Sequence, residues 1–214
     1  DGVRFHEFRG QTGVLVAELE PGVRTVRWIK DGQGEDYGED AHYENRSLAL
    51  PYIVLVMPFF KGVLQTSTSS GCQVYYRRDP LGGWDDELLM TNLLNVAHGY
   101  DYTSWVCMVG YQQKQGLTWQ QAVEEGIRYF FWSAFNRSSE VHEQNSHYSS
   151  ARQLLGDRRI SSAVFWETAS VKDPKFMLEI PWPDTGYTVR SAVGLAFSKM
   201  AQQKLNLVNL MQGS

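Results

Sequence analysis

The first eighty residues carry short apolar runs separated by turn residues, and the second half carries apolar residues at helical spacing. "VRFHEFRG" (3–10) alternates Val3, Phe5 and Glu7, and "GVLVAEL" (13–19) follows. Both read as strands, because side chains in a strand alternate between two faces. A Glu-Pro-Gly at 20–22 then predicts a hairpin turn, since Pro presets φ and Gly accepts a positive φ. "VRTVRWIK" (23–30) would be the returning strand, with Val23, Thr25, Arg27 and Ile29 on one face. Consecutive apolar residues at 52–57 in "LALPYIVLVMPFFKG" predict a central strand buried on both faces, with Pro58 at its end. The polar "TSTSSG" (66–71) predicts a turn, "CQVYYRRDP" (72–80) the next strand, and "DPLGGW" (79–84) a loop.

Beyond residue 117 the period changes. "LTWQQAVEEGIRYFFWSAF" (117–135) opens with a capping box, Thr118 and Gln121, and repeats Val123, Ile127, Phe130, Phe131, Ala134 and Phe135 at helical spacing. Gly126 inside it costs about 1 kcal/mol against Ala, which predicts a close packing contact there. Residues 137–150 predict a loop, a short helix is expected around 151–155, and "AVFWETAS" and "KFMLEIPW" read as strands. The end, "TVRSAVGLAFSKMAQQKLNLVNL", predicts a helix with Val189, Val193, Ala196, Met200, Leu205 and Val208 on one stripe. Strand runs followed by helix runs predict an α+β fold: an antiparallel β-meander in the N-terminal half and a mainly helical C-terminal half.

Composition narrows this picture. The 214 residues are 43% hydrophobic, enough for one substantial core, so residues 1–214 are expected to form a single domain with extended N-terminal hairpins and a C-terminal helical extension. The net charge of −4 argues against nucleic acid as a partner. The acidic, Gly-interleaved stretch Asp31, Glu35, Asp36, Glu39, Asp40, Glu44 reads as a solvated loop, or as a platform for a basic partner. The longest apolar run, 49–60, is short for a bilayer and holds two prolines, so no membrane partner is expected. Two cysteines make no disulfide framework, and a cytoplasmic location follows by default.

Most chemical motifs are missing. There is no phosphate loop, no dinucleotide fingerprint, no nucleophile elbow and no Cys-x-x-Cys pair, so no cofactor and no metal is expected. His142, Glu143 and His147 form H-E-x-x-x-H, whose two histidines would lie about 140° apart on a helix. Asp85, Asp86 and Glu87 read as the acidic first turn of a helix, with a magnesium or general-base site as the alternative. A nucleophile is the remaining possibility. Cys107 in "SWVCMVG" sits between the polar stretch 91–104 and the approach to the capped helix. A cysteine so placed is either a small buried hydrophobe or an accessible thiol. His98 could serve as its base, and Asn92 or Asn95 could donate to a tetrahedral oxyanion.

The segments "LALPYIVLVMPFFKGVL", "QVYYRRDPLGGWDDELLMTNLLNV" and "WVCMVG", roughly residues 48–110, resemble the ubiquitin-conjugating (UBC) fold. More narrowly, they resemble its bacterial relatives such as protein B of the PRTRC systems. The resemblance implies a thioester relay without a small cofactor. A ThiF-like activating enzyme would deliver a ubiquitin-like protein, Cys107 would carry its acyl group, and a lysine would receive it. It assigns Cys107 as nucleophile and Asn95 beside it. The chain departs from the eukaryotic pattern in having no His-Pro-Asn motif eight residues before the cysteine; Asn95 stands at twelve. The competing expectations are a catalytically inactive UBC-like binding module and a phage- or plasmid-encoded assembly protein. The assembly reading would use Trp119, Tyr129, Phe130, Phe131 and Trp132 at an oligomer interface.

Overall fold

In the computed structural model, which describes residues 1–30, 43–66, 71–98, 104–108, 110–136 and 146–212, the N-terminal half is dominated by one long bent ribbon. Strands β2 (Thr12–Leu19) and β3 (Gly22–Ile29) are successive stretches of one arm, and β4 (Tyr43–Leu50) and β5 (Tyr52–Phe60) of the other. Partner numbers total 72 throughout, from Thr12↔Phe60 to Ile29↔Tyr43. The same register sets Pro21 against Pro51. Two prolines, each without an N–H to offer the ladder, interrupt pairing at one level and let the ribbon bend without slipping. The hairpin expected at Glu20-Pro21-Gly22 is therefore absent: β2 pairs with β1 (Gly2–Arg9) and β5, while β3 pairs with β4. The proline-glycine signal marks a bend that continues in the same direction.

The main sheet runs β1-β2-β5-β7-β10-β9, all antiparallel, with β7 at Gln73–Arg77, β9 at Val96–His98 and β10 at Ser104–Val106. Short β6 (Val63–Leu64) adds to β5, and β8 (Glu87–Leu89) links β7 to a late strand, β11 (Asp184–Thr188). β5 is buried on both faces, as its unbroken apolar run predicts. Pro58 lies inside it, not at its end. It is tolerated because pairing with β7 stops at Val56↔Gln73, so at Pro58 the ladder partner is Val14 of β2. In β1 a bulge between Val3 and Phe5 breaks the alternation and leaves Val3 exposed. In β3 the buried positions are Val26, Trp28 and Ile29; of the Val23, Thr25, Arg27 and Ile29 face expected from sequence only Ile29 is buried, because Trp28 turns the other face to Phe135, Tyr148 and Trp166.

Helices cover both faces of the main sheet. Helix α4 (Val189–Gln212) lays Val189, Val193, Ala196 and Met200 against Val14, Val16, Val54, Val56 and Tyr75. The predicted stripe holds to Met200, after which Leu205 is exposed. The opposite face, with Ala17, Leu19, Ile53, Leu55, Met57, Val74 and Tyr76, packs with α1 (Trp119–Ser133), α2 (His147–Leu155), α3 (Ala163–Lys172) and the β3–β4 arm. Helix α1 begins at the predicted capping box. Gly126 sits on the sheet so closely that a Cβ there would lie 2.6 Å from Met57 Cε and 2.9 Å from Leu64 Cδ2.

Three local expectations are corrected. Helix α2 starts at His147, several residues before the predicted 151–155, where Ser146 accepts from Ser149 N–H. "AVFWETAS" is helix α3, not a strand. Ser162 caps it, and its side chains complete the outer edge of β4. Ser170 Oγ accepts from Ala49 N–H at 2.7 Å, Trp166 Nε1 donates to Ala49 O at 2.8 Å, and Glu167 accepts from Ser47 N–H at 3.0 Å. Edge-strand backbone groups satisfied by a neighbouring helix need no further strand. "KFMLEIPW" holds a 3₁₀ turn, Phe176–Leu178, instead of a strand. The overall class is as expected, α+β, with the antiparallel sheet in the N-terminal half and the helices in the C-terminal half.

Candidate functional site

Cys107 stands one residue past the end of β10, at the far side of the sheet from β1. Val106 N–H donates to Cys72 O at 2.9 Å, and Cys107 N–H donates to Asn95 O at 3.0 Å. The second bond carries the β9–β10 ladder one step beyond its last pair, Val96↔Val106. Cys107 is 5% exposed, and Val106 and Met108 on either side are also buried.

Asn95 joins this strand end to helix α1. Its backbone N–H donates to Ala134 O at 2.9 Å. Its Nδ2 donates to Cys107 O at 2.6 Å and to Ser133 O at 3.1 Å. The amide orientation is forced, since only the nitrogen can face two carbonyl oxygens. Ser133 and Ala134 are the last residue and the cap of α1, so two of the helix's orphan C-terminal carbonyls are satisfied by one asparagine. Both Nδ2 protons are thereby engaged, and in this geometry Asn95 positions the Cys107 backbone instead of offering a free donor to an oxyanion. Asn92 is also buried: its Oδ1 accepts from Tyr76 O–H at 2.9 Å. His98 ends β9, paired with Ser104; its side chain lies outside what the structure describes.

Two tyrosines approach from α1 and the segment before it. Tyr111 and Tyr129 meet edge to face at 5.2 Å. Gly110 has a φ of +78°, which favours glycine, and Tyr129 Oη lies 3.3 Å from where a Cβ there would stand, a tight approach. Burial raises the Tyr129 phenol; Arg27 opposes the shift and Cys107 adds to it, which places that hydroxyl within electrostatic reach of both. Burial, together with the Glu125 carboxylate, pushes the Tyr111 phenol up to about 12. Cys72, wholly enclosed, has its thiol pushed up to about 12 by burial alone and is inert at neutral pH. Asn95 Oδ1, Ser104 Oγ, Ser133 Oγ and Tyr111 Oη are buried without a hydrogen-bond partner among the described residues.

The other sequence candidates resolve into structural roles. Asp86 Oδ2 accepts from Gly82 N–H at 2.7 Å and Gly83 N–H at 3.2 Å, and Asp85 pairs with Arg190. Strand β8 follows them, so the helix start expected at Asp85–Glu87 is corrected to a braced loop. His147 is buried at the start of α2 with Nδ1 3.0 Å from Thr91 Oγ1, while His142 and Glu143 lie outside the described residues. Among the described residues no group of three or more His, Cys, Asp or Glu side chains is placed to hold a metal ion. The acidic residues Asp31 to Asp40 and the turn at 67–70 also lie outside the described residues. No helix among the described residues is long and apolar enough to cross a membrane.

Sequence reasoning placed Asn95 beside Cys107 but missed the helix end that joins them. The contact partners are backbone carbonyls, which leave no side-chain signature. Tyr111 is not singled out by the sequence, and Tyr129 enters there only as part of an oligomer interface, since its approach to Tyr111 depends on how α1 packs. No protein-family model, curated protein or solved structure matches this chain.

Proposed function

We propose that the chain is a ubiquitin-conjugating-like domain in which Cys107 accepts an acyl group from a ubiquitin-like protein and passes it to an amine. The observation that carries this reading is the order of parts. Four antiparallel strands, β1-β2-β5-β7, are followed by a segment, 78–94, that holds only the short strand β8, then by the Asn95–Cys107 pair, then by the capped helix α1. In the relay, the Cys107 sulfur, having given up its proton, attacks the carbonyl carbon of the incoming thioester. The donor's sulfur leaves and takes a proton. A lysine amine then displaces Cys107 in the same manner, so nothing is oxidised or reduced. Asn95 serves by fixing the backbone of the strand end that carries the sulfur. The partners in this reading are the ubiquitin-like protein and a ThiF-like activating enzyme, acting in the cytoplasm.

The test bypasses the activating enzyme. The purified chain is mixed with a ubiquitin-like protein carrying a synthetic C-terminal thioester and examined on non-reducing gels. A thiol-sensitive adduct in the wild type, a thiol-resistant oxyester in Cys107→Ser and none in Cys107→Ala are expected. An adduct that survives Cys107→Ala, or none in the wild type, overturns the relay.

A second reading is favoured by one observation: at 5% exposure Cys107 is enclosed like a core residue. A domain of this kind would bind the ubiquitin-like protein without forming the thioester. It predicts saturable binding that Cys107→Ala leaves unchanged, with no covalent product.

A further inference from the structure

Helix α3 is apolar around most of its circumference, and only part of that surface is covered. Ala163, Trp166 and Ser170 face inward, with Trp166 and Ser170 locked to β4. The outward stripe, Val164, Thr168 and Val171 at i, i+4 and i+7, is exposed together with Phe165; Val171 is 79% exposed. A helix apolar on both faces ordinarily has both faces packed. Beside the stripe, between α3 and the two 3₁₀ turns Arg158–Ile160 and Phe176–Leu178, lies a groove of about 530 Å³ with Phe165 and Phe176 in its walls. That volume suits one or two large side chains.

The rim of this groove is cationic on a chain that is acidic as a whole. Arg158 stacks on Phe165 with its guanidinium carbon 4.9 Å from the ring centre, and Lys172 also lines the groove. Both are exposed. Arg159, in contrast, is neutralised by Asp157 at 2.9 Å and Glu179 at 3.1 Å, and it covers the Phe176 ring. Asp173 is the remaining acid in the lining, and its Oδ1 is turned to the Lys175 N–H at 2.8 Å.

We infer that this face of α3 docks an acidic amphipathic helix of a partner protein, with an apolar side chain in the Phe165–Phe176 groove and carboxylates against Arg158 and Lys172. Concavity favours an inserted side chain over a flat lipid surface. The inference is independent of the relay: α3 seats on β4, whereas Cys107 follows β10.

The probes are two sixteen-residue helix-forming peptides with the same Leu/Phe face, one with Glu and one with Lys on the other face. Each is titrated into the ¹⁵N-labelled full chain. The Glu peptide is expected to shift amides of 158–176 saturably and to bind at least fivefold more tightly than the Lys peptide. Arg158→Glu and Val171→Asp, both at exposed positions, should each weaken it about tenfold; Cys107→Ala should change nothing. Equal binding of both peptides, shifts elsewhere, or indifference to both α3 variants overturns the proposal. So does binding of phosphatidylserine vesicles that the same variants abolish, which would make the face a membrane contact. Concentration-dependent shifts of these amides without peptide would make it a self-contact and also overturn it.

Discussion

Replacing Asn95 with Asp changes one atom group and reverses its chemistry. In the native protein Nδ2 donates to Cys107 O and Ser133 O, and both carbonyls are buried. In Asn95→Asp at neutral pH a carboxylate oxygen would face two carbonyl oxygens. Two hydrogen bonds are lost at roughly 1 kcal/mol each; Ser133 O keeps the Asn136 N–H at 3.2 Å, but the buried Cys107 O is orphaned and adds about 1–3 kcal/mol of unrecovered desolvation. An anion at a helix C-terminus is unfavourable by a further 0.3–1 kcal/mol or so. Because some of these effects overlap, the expected loss is about 3–5 kcal/mol, a large part of a typical domain's stability. Burial and the facing carbonyls raise the folded-state pKa of the new carboxyl above its unfolded value of about 3.9. The variant's deficit against wild type is therefore smallest below about pH 3.9, where the protonated acid donates one O–H. It grows as pH rises through the raised folded-state value. Urea denaturation of both proteins at pH 4 and pH 7 reads this directly, with Asn95→Ala, expected to lose about 2–4 kcal/mol at either pH, as the uncharged reference. A variant as stable as wild type at pH 7, or a deficit that deepens on acidification, would refute the capping geometry.

Three further outcomes are expected. Gly126→Val should lower the urea midpoint by about 1–3 kcal/mol of stability, since its branches add bulk where even a Cβ meets Met57 at 2.6 Å; an unchanged midpoint would show that α1 is not seated so closely. Trp166→Phe should cost about 1–3 kcal/mol because Ala49 O loses its donor inside the core, and an equally stable variant would disprove the edge role of α3. In Cys107→Ser, the remaining thiol, Cys72, should be silent to Ellman's reagent at pH 8 until denaturant is added, because with its thiol at about 12 only about one molecule in 10⁴ holds a thiolate; full reaction of the native variant within minutes would contradict that burial.

Local signals were legible wherever one segment decides its own state. The capping box of α1, the doubly buried β5 and the α4 stripe up to Met200 follow from period and composition alone. Glu20-Pro21-Gly22 misleads because a turn motif is defined by what the chain does locally, whereas here β5 and β4 already pair with β2 and β3 in one register. "AVFWETAS" misleads for a related reason: with apolar residues all round, neither strand nor helix period stands out, and the β4 edge selects the helix.

The site divides in the same way. The sequence by itself determined the α+β class, the candidacy of Cys107 and the presence of Asn95 twelve residues before it. Only the tertiary structure decided that Asn95 reaches the end of α1, that Cys107 is enclosed, and that the uncovered face of α3 is bordered by arginine and lysine. Backbone carbonyls carry no residue identity, and burial depends on which segments arrive from far along the chain. Those two properties are invisible to spacing and become fixed only when the strands and helices have packed.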